Sequence, residues 1–321
     1  MRKLTQPETG RPAVVLVVPI FPTAMDVLET EFTVHRLWEE TDRDAALVRW
    51  ADEAQALVTF ANGPVDAALM AALPNVKIIA TMTVGVDHID LEAARKRGIQ
   101  VTHTPDVLTE AVADLAMALV LSVARQIVVA DRFVRTGEWS RRVLPPVRSV
   151  SGSHVGVVGL GRIGLAFARR AAAFDMRVSY YGPRRKPDVG YRYYDNLRAL
   201  ARDVDYLVIT APGGPQTDRM IDGAVLADLG PNGALINVGR GSIVDEPALV
   251  AALVNGTLGA AGLDVYANEP HIPEELCALE NVVLLPHIAS ATLETRAAMG
   301  ELVVNNLRAW FAGRPVLTPV I

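Results

Sequence analysis

Gly159-Leu160-Gly161-Arg162-Ile163-Gly164 follows the apolar run Val155-Gly156-Val157-Val158 and precedes residues 165–174, whose pattern predicts a helix. A strand that turns on closely spaced glycines into a helix brings backbone N–H groups close to whatever lies above the turn. The helix N-terminus adds its partial positive charge at the same point. Together they make a site for a pyrophosphate. The GxGxxG spacing says little alone, but between a strand and a helix it predicts a dinucleotide-binding unit. Gly159, Gly161 and Gly164, with Leu160, Arg162 and Ile163 between them, are the first candidate cofactor residues.

The chain has 321 residues, enough for two domains, and 50% of them are hydrophobic. A formal net charge of −5 gives no electrostatic reason to expect nucleic acid or an anionic membrane as a partner. The single cysteine, Cys277, excludes an intramolecular disulfide and a cysteine-based metal cluster. It is compatible with a reducing cytoplasm, where we expect the protein to reside. No residue pattern suggests a metal site. The start, Met1-Arg2-Lys3, is basic, but the following apolar run at 14–18 is short and stops at Pro19. A secretory core would be longer, so this run predicts the first strand instead. The apolar stretch 111–130 contains Asp114, Arg125 and Gln126, and is expected to be a buried helix rather than a membrane span.

The remaining pattern alternates. Strands are predicted at 14–19, 57–59, 76–81 and around Val101, with helices at 65–73 and 91–97, the latter stopped by Gly98. Thr104-Pro105 breaks the alternation. Thr109 opens a long helix through Ala130, and 131–136 extends it or begins another. After the glycine motif, strands are expected at 178–181, 205–210, 234–238, 260–264 and 282–285. Helices are expected at 197–201, 247–255 and 292–311. Such alternation implies an α/β fold with parallel sheets. The best division places a cofactor domain at 104–288. Residues 1–103 and 289–321 form the other domain, and the two crossings would make a hinged cleft.

The end of the second strand of a dinucleotide-binding domain meets the adenosine ribose. A carboxylate there favours NAD, and positive charge accommodates a 2′-phosphate. Here the sequence reads Tyr180-Tyr181-Gly182-Pro183-Arg184-Arg185-Lys186, with no carboxylate. Arginine suits phosphate because its planar fork can bind bidentately. A solvated basic turn would look the same in isolation. Its position, about 20 residues after the glycine motif, predicts NADP(H) as the preferred cofactor with NAD(H) possible.

Three further motifs lie at predicted strand ends: Asn237-Val238-Gly239-Arg240-Gly241, Asp264-Val265-Tyr266-Ala267-Asn268-Glu269-Pro270 and Leu285-Pro286-His287. Strand C-termini in an open parallel sheet converge on one crevice. Reduction of a 2-oxoacid needs a guanidinium for the carboxylate and a proton donor for the carbonyl oxygen as hydride arrives. It also gains from a carboxylate that stabilises an imidazolium. Arg240, His287 and Glu269 supply these types. Each alone has an ordinary structural reading, as a surface ion pair, a satisfied histidine or a turn residue.

Taken together with Thr83-Val84-Gly85-Val86-Asp87 and 286–290, these motifs resemble the D-isomer-specific 2-hydroxyacid dehydrogenase family over nearly the whole chain. The resemblance implies two Rossmann-like domains, the cofactor domain inserted into a flavodoxin-like substrate domain. It implies that Arg240 holds the substrate, His287 is the acid/base, and Glu269 pairs with His287. The N–H groups of Val84 and Gly85 would bind the substrate carboxylate. Leu160 to Ile163 would meet the pyrophosphate, and Asp264 would lie near the nicotinamide carboxamide. Thr109, Ala211, Pro212, Thr217 and Val238 would line the cofactor site.

Within the family, the runs 281–290 and 292–296 are most similar to the NADPH-dependent glyoxylate/hydroxypyruvate reductases. Hydroxyphenylpyruvate reductases share much of the pattern. The expected reaction is reduction of a small 2-oxoacid to the 2-hydroxyacid. An NAD-linked relative acting on phosphoglycerate, and a non-enzymatic nucleotide-sensing scaffold, are rival readings. The helix 111–130 resembles the family's dimer-forming region, so a homodimer is expected. Trp139 follows it; in related reductases a tryptophan from this neighbourhood reaches the partner's active site, and with Arg141 and Arg142 beside Trp139 the resemblance leaves that role open here.

Overall fold

The computed structural model describes residues 10–321, so Met1-Arg2-Lys3 lies outside the described residues. Two compact units are present. One comprises residues up to Leu108 together with Thr292–Ile321, and the other is Thr109–Ala291.

The first unit is built from β1 (Ala13–Leu16), α1 (Pro22–Glu31), β2 (Thr33–Arg36), α2 (Arg43–Trp50), β3 (Ala54–Thr59), α3 (Ala67–Ala72), β4 (Ile78–Thr81), α4 (Leu91–Arg97) and β5 (Gln100–Thr102). Its sheet is wholly parallel in the order β2-β1-β3-β4-β5, which is the flavodoxin-like order. Strands covered by helices on both faces must be apolar throughout, and every residue of β1 and β4 is buried. Asp42, Asp66 and Asp90 cap α2, α3 and α4, each accepting a first-turn N–H. A helix at Leu293–Phe311, capped by Thr292, returns to this unit and packs on α1 and β4.

The second unit opens with α5 (Thr109–Ala124) and α6 (Ile127–Arg135). It continues through β6 (His154–Val158), α7 (Arg162–Ala173), β7 (Arg177–Tyr181), β8 (Arg192–Tyr194), α8 (Leu197–Asp203) and β9 (Tyr206–Ile209). The last elements are α9 (Gly223–Leu229), β10 (Ala234–Asn237), α10 (Glu246–Val254), β11 (Ala260–Leu263), α11 (Glu274–Ala278) and β12 (Val282–Leu284). The sheet is parallel in the order β12-β11-β10-β9-β6-β7-β8. Strand order therefore reverses between β6 and β9, the switch point at which doubly wound sheets bind ligands.

Several sequence expectations need correction. The helix expected through Ala130 ends at Ala124, because Gln126 adopts a left-handed conformation with φ 48°. The chain then bends by 61° into α6. α5 is largely buried, but Ile127 and Val128 of α6 are 49% and 45% exposed, so the buried helix expected over 111–130 is only partly so. Among the described residues no single helix is long and apolar enough to cross a membrane. The helix after the glycine motif starts at Arg162 rather than 165, which puts its first turn inside the motif. α1, β2, α2, β8, α9 and α11 were not expected. β2 reads Thr-Val-His-Arg and β8 Arg-Tyr-Tyr, edge strands too short and polar to show alternation.

Candidate active site

The switch point is built by packing. Gly159 has φ +91°, a conformation L side chains rarely adopt, and a Cβ there would come within 2.7 Å of the Ala211 Cα. The β6–α7 turn and the end of β9 thus approach backbone to backbone. Thr210 Oγ1 donates to the Gly159 carbonyl at 2.7 Å and fixes the turn. Leu160 is buried beneath it, while Gly161 and Arg162 are exposed. Gly161 is the N-cap of α7 and, among the described residues, makes no side-chain cap bond. A Cβ on Gly161 would meet nothing within 4 Å. The turn therefore offers an uncapped helix N-terminus with open space above it, which fits a pyrophosphate. Ala211 is buried and Pro212 carries the loop onward, its carbonyl accepting from Thr217 Oγ1 at 2.8 Å. Val238 is buried at the end of β10, and Thr109 is half-buried at the start of α5.

Arg184, Arg185 and Lys186 are exposed in the turn after β7. Two tyrosines shape that turn. The Lys186 N–H donates to the Tyr180 hydroxyl at 2.7 Å, and the Tyr193 hydroxyl donates to the Gly182 carbonyl at 3.1 Å. Tyr180 is 1% exposed and its ring contacts that of Tyr193. Sequence reading identified the cations but not the tyrosines that hold their backbone.

The chemical groups lie beyond β10, β11 and β12, which are adjacent in the sheet. At the end of β10, Asn237 brackets the turn: its Oδ1 accepts from the Gly239 N–H at 3.0 Å, and its Nδ2 donates to the Arg240 carbonyl at 2.9 Å. This Asx-type turn, for which asparagine before a glycine is the signal, presents Arg240, whose Nη1 also donates to the Gly239 carbonyl. A Cβ on Gly241 would collide with the Tyr266 carbonyl group, so only glycine lets this turn lie against the loop after β11.

That loop carries Glu269. One carboxylate oxygen accepts the Tyr266 N–H at 3.0 Å, and the other is 2.7 Å from His287 Nδ1. Burial would raise the Glu269 carboxyl, but the His287 hydrogen bond, the Tyr266 N–H and the charges of His287 and Arg240 outweigh it. Glu269 is held below the usual glutamate range and ionised. Its hydrogen bond to Nδ1 fixes the imidazole ring and leaves Nε2 as the nitrogen available for proton transfer.

His287 itself adopts φ +54°, left-handed for a side chain with a Cβ. The reason lies in Asp264, which is fully buried and whose two oxygens accept the N–H groups of Ile288 and Ala289 at 2.8 and 2.9 Å. Burial raises the Asp264 carboxyl, and these two donors partly counter it. The resemblance assigns Asp264 to the nicotinamide carboxamide; in the structure both oxygens are engaged in holding the His287 turn. The Tyr266 hydroxyl adds a bond to the Leu285 carbonyl at 2.9 Å.

Val84 and Gly85 belong to the first unit, just past β4. Thr83 Oγ1 donates to the Gly85 carbonyl at 2.6 Å, and His103 Nδ1 lies 2.9 Å from the Val84 carbonyl. Both carbonyls are thereby occupied, while among the described residues the two N–H groups donate to no protein acceptor. That is the arrangement a carboxylate ligand requires. No cluster able to hold a metal ion occurs among the described residues.

Residues 117–289, more than half of the chain, match the family described as D-isomer specific 2-hydroxyacid dehydrogenase, NAD binding domain. A hydroxyphenylpyruvate reductase of Plectranthus scutellarioides is 46% identical over 308 residues, covering 96% of this chain and 98% of its own. A glyoxylate/hydroxypyruvate reductase A of Arabidopsis thaliana is 46% identical over the same length, with the same coverage. The solved NADPH-dependent glyoxylate/hydroxypyruvate reductase of Sinorhizobium meliloti, in complex with NADP and malonate, is 44% identical and covers 97% of each chain with a TM-score of 0.91. The chain therefore belongs to the D-isomer-specific 2-hydroxyacid dehydrogenase family, a class of nicotinamide-dependent oxidoreductases.

Proposed function

We propose that this protein reduces small 2-oxoacids, glyoxylate and hydroxypyruvate foremost, to 2-hydroxyacids with NADPH. The observation that carries the reading is the 2.7 Å His287–Glu269 pair at neighbouring strand ends with Arg240, whose charge bears on Glu269. A bound nicotinamide cofactor supplies hydride to the carbonyl carbon. The chain does the rest. Arg240 and the N–H groups of Val84 and Gly85 hold the substrate carboxylate, and Arg240 polarises the carbonyl. Protonated His287 gives its Nε2 proton to the carbonyl oxygen, and Glu269 steadies the imidazolium. Gly159 to Gly164 receive the pyrophosphate, Thr109, Ala211, Pro212, Thr217 and Val238 line the cofactor site, and Arg184, Arg185 and Lys186 receive the 2′-phosphate.

Initial rates of NADPH and NADH oxidation with glyoxylate, hydroxypyruvate, pyruvate and hydroxyphenylpyruvate test this directly. We expect the highest kcat/KM with NADPH and one of the first two acids. A clear preference for hydroxyphenylpyruvate would favour the second reading, which the Plectranthus relative supports. Binding of NADPH without turnover on any of the four would favour a nucleotide-sensing scaffold.

We also infer a cytoplasmic homodimer. The dimer is supported by the exposed apolar face of α6 with Ile127, Val128 and Val134, followed by Trp139, which is 68% exposed. Sedimentation equilibrium should give twice the 34.5 kDa chain mass, and a monomer would reject this.

A further inference from the structure

Tyr180 and Tyr193 stand directly opposite each other in the register of β7 and β8. Residues paired in this way point to the same face of the sheet. Their rings meet with centroids 5.3 Å apart. Tyr180 is 1% exposed, so burial fixes its ring, while Tyr193 is half-buried on the edge strand. Both hydroxyls reach past the strand ends to the same turn. The Tyr180 hydroxyl accepts the Lys186 N–H at 2.7 Å, and the Tyr193 hydroxyl donates to the Gly182 carbonyl at 3.1 Å. The two bonds therefore grip the turn at its two ends. Between them lie only Pro183, whose ring fixes its own φ, and the two arginines Arg184 and Arg185.

The side chains of that turn differ from other cations of the same unit. Arg198 and Arg202 share Asp228, and Arg170 pairs with Glu110 and Asp114. Among the described residues, Arg184, Arg185 and Lys186 have no such carboxylate and are exposed. Three adjacent like charges repel one another, and a loose turn would let them spread. Gathering them on a phosphate would then cost backbone entropy. A turn already tied at both ends avoids that cost, so more of the charge-assisted bonding appears as affinity. NADH has no 2′-phosphate and draws nothing from this arrangement.

We propose that Tyr180 and Tyr193 are positioning residues for cofactor choice. Their hydroxyls hold the backbone of the 182–186 turn so that Arg184 and Arg185 are set for a 2′-phosphate, and this sets the preference for NADPH over NADH. The proposal rests on the reading of the basic turn given above and goes beyond it by placing part of the preference in two phenol hydroxyls that do not touch the cofactor.

The test is fluorescence titration of NADPH and NADH, without oxoacid, into wild type, Tyr180→Phe, Tyr193→Phe, the double phenylalanine variant and the variant with Arg184 and Arg185 both changed to serine. Phenylalanine keeps the ring and removes only the hydroxyl. The Kd of NADPH should rise about fivefold in each single phenylalanine variant and more than about tenfold in the double one, from the worth of one and two hydrogen bonds. That of NADH should change less than about twofold. Unchanged NADPH affinity, or equal loss for both cofactors, would overturn the proposal. If the serine variant loses NADPH selectively and the phenylalanine variants do not, the tyrosine assignment alone fails. If wild type shows no preference for NADPH, the phosphate reading of the turn fails and the proposal with it. A second readout needs no cofactor. Trypsin should cut after Arg184 and Arg185 faster in the phenylalanine variants than in wild type, and equal rates would overturn the positioning role. Should Tyr180→Phe fail to fold, Tyr193→Phe, on the edge strand, carries the same predictions.

Discussion

His287 is held from two sides, and each side makes a prediction. Glu269 holds the ring through Nδ1, and Asp264 holds the backbone through Ile288 and Ala289. Because the folded state lowers the Glu269 carboxyl below its unfolded value, Glu269 contributes stability at neutral pH. That contribution is lost as pH falls through the lowered value. Wild type should therefore melt higher than Glu269→Gln at pH 7, and the gap should close below about pH 4. Melting curves of both proteins across pH check this, and a constant gap would contradict it. Asp264→Asn keeps one acceptor oxygen where two N–H groups need one each. It should cost about 1–3 kcal/mol in urea unfolding and lower kcat. Unchanged stability would mean that the two bonds do not hold the turn. The type and order of Arg240, Glu269 and His287 were legible in the sequence because each follows an apolar run. The support from Asp264 was not, since it joins positions 24 residues apart through a buried carboxylate.

The glycine turn is the element that ties sequence to fold most tightly. Its strand and helix were legible because apolar runs flank three glycines. Gly159 and Gly161 nevertheless play different parts. Gly159→Ala forces a Cβ against the Ala211 backbone in a left-handed conformation and should destabilise the unit by several kcal/mol, on the order of 3. Gly161→Ala meets open space and should melt like the wild type, yet bind NADPH at least tenfold more weakly because its methyl group enters the pyrophosphate site. Thermal melting and NADPH fluorescence titration separate the two, and normal NADPH affinity in Gly161→Ala would move the pyrophosphate elsewhere. The break between α5 and α6 was invisible because no glycine or proline marks it; Gln126 makes the turn within an apolar run. β2 and β8 were missed for the same reason in reverse, being edge strands with polar residues that only their parallel partners identify.

At the scale of the molecule, two parallel sheets of different strand order each present loops at their strand ends. The first unit offers paired open amides, and the second offers a glycine turn, a basic turn and an acid/base pair. Charge is distributed accordingly. A chain with net charge −5 still gathers Arg184, Arg185 and Lys186 at the one turn where a dinucleotide's 2′-phosphate is expected. Exchanging Arg184 and Arg185 together for serine should raise the Kd of NADPH at least tenfold and that of NADH less than threefold, given the strength of charge-assisted bonds to phosphate. Equal loss for both would assign the turn to general electrostatics. The central claim is that His287 donates the proton in 2-oxoacid reduction. Its most direct test is single-turnover reduction of hydroxypyruvate at saturating NADPH by wild type and His287→Ala, with circular dichroism confirming that both are folded. We predict a loss of about 10²–10⁴-fold; near-normal turnover in a folded His287→Ala protein would contradict it.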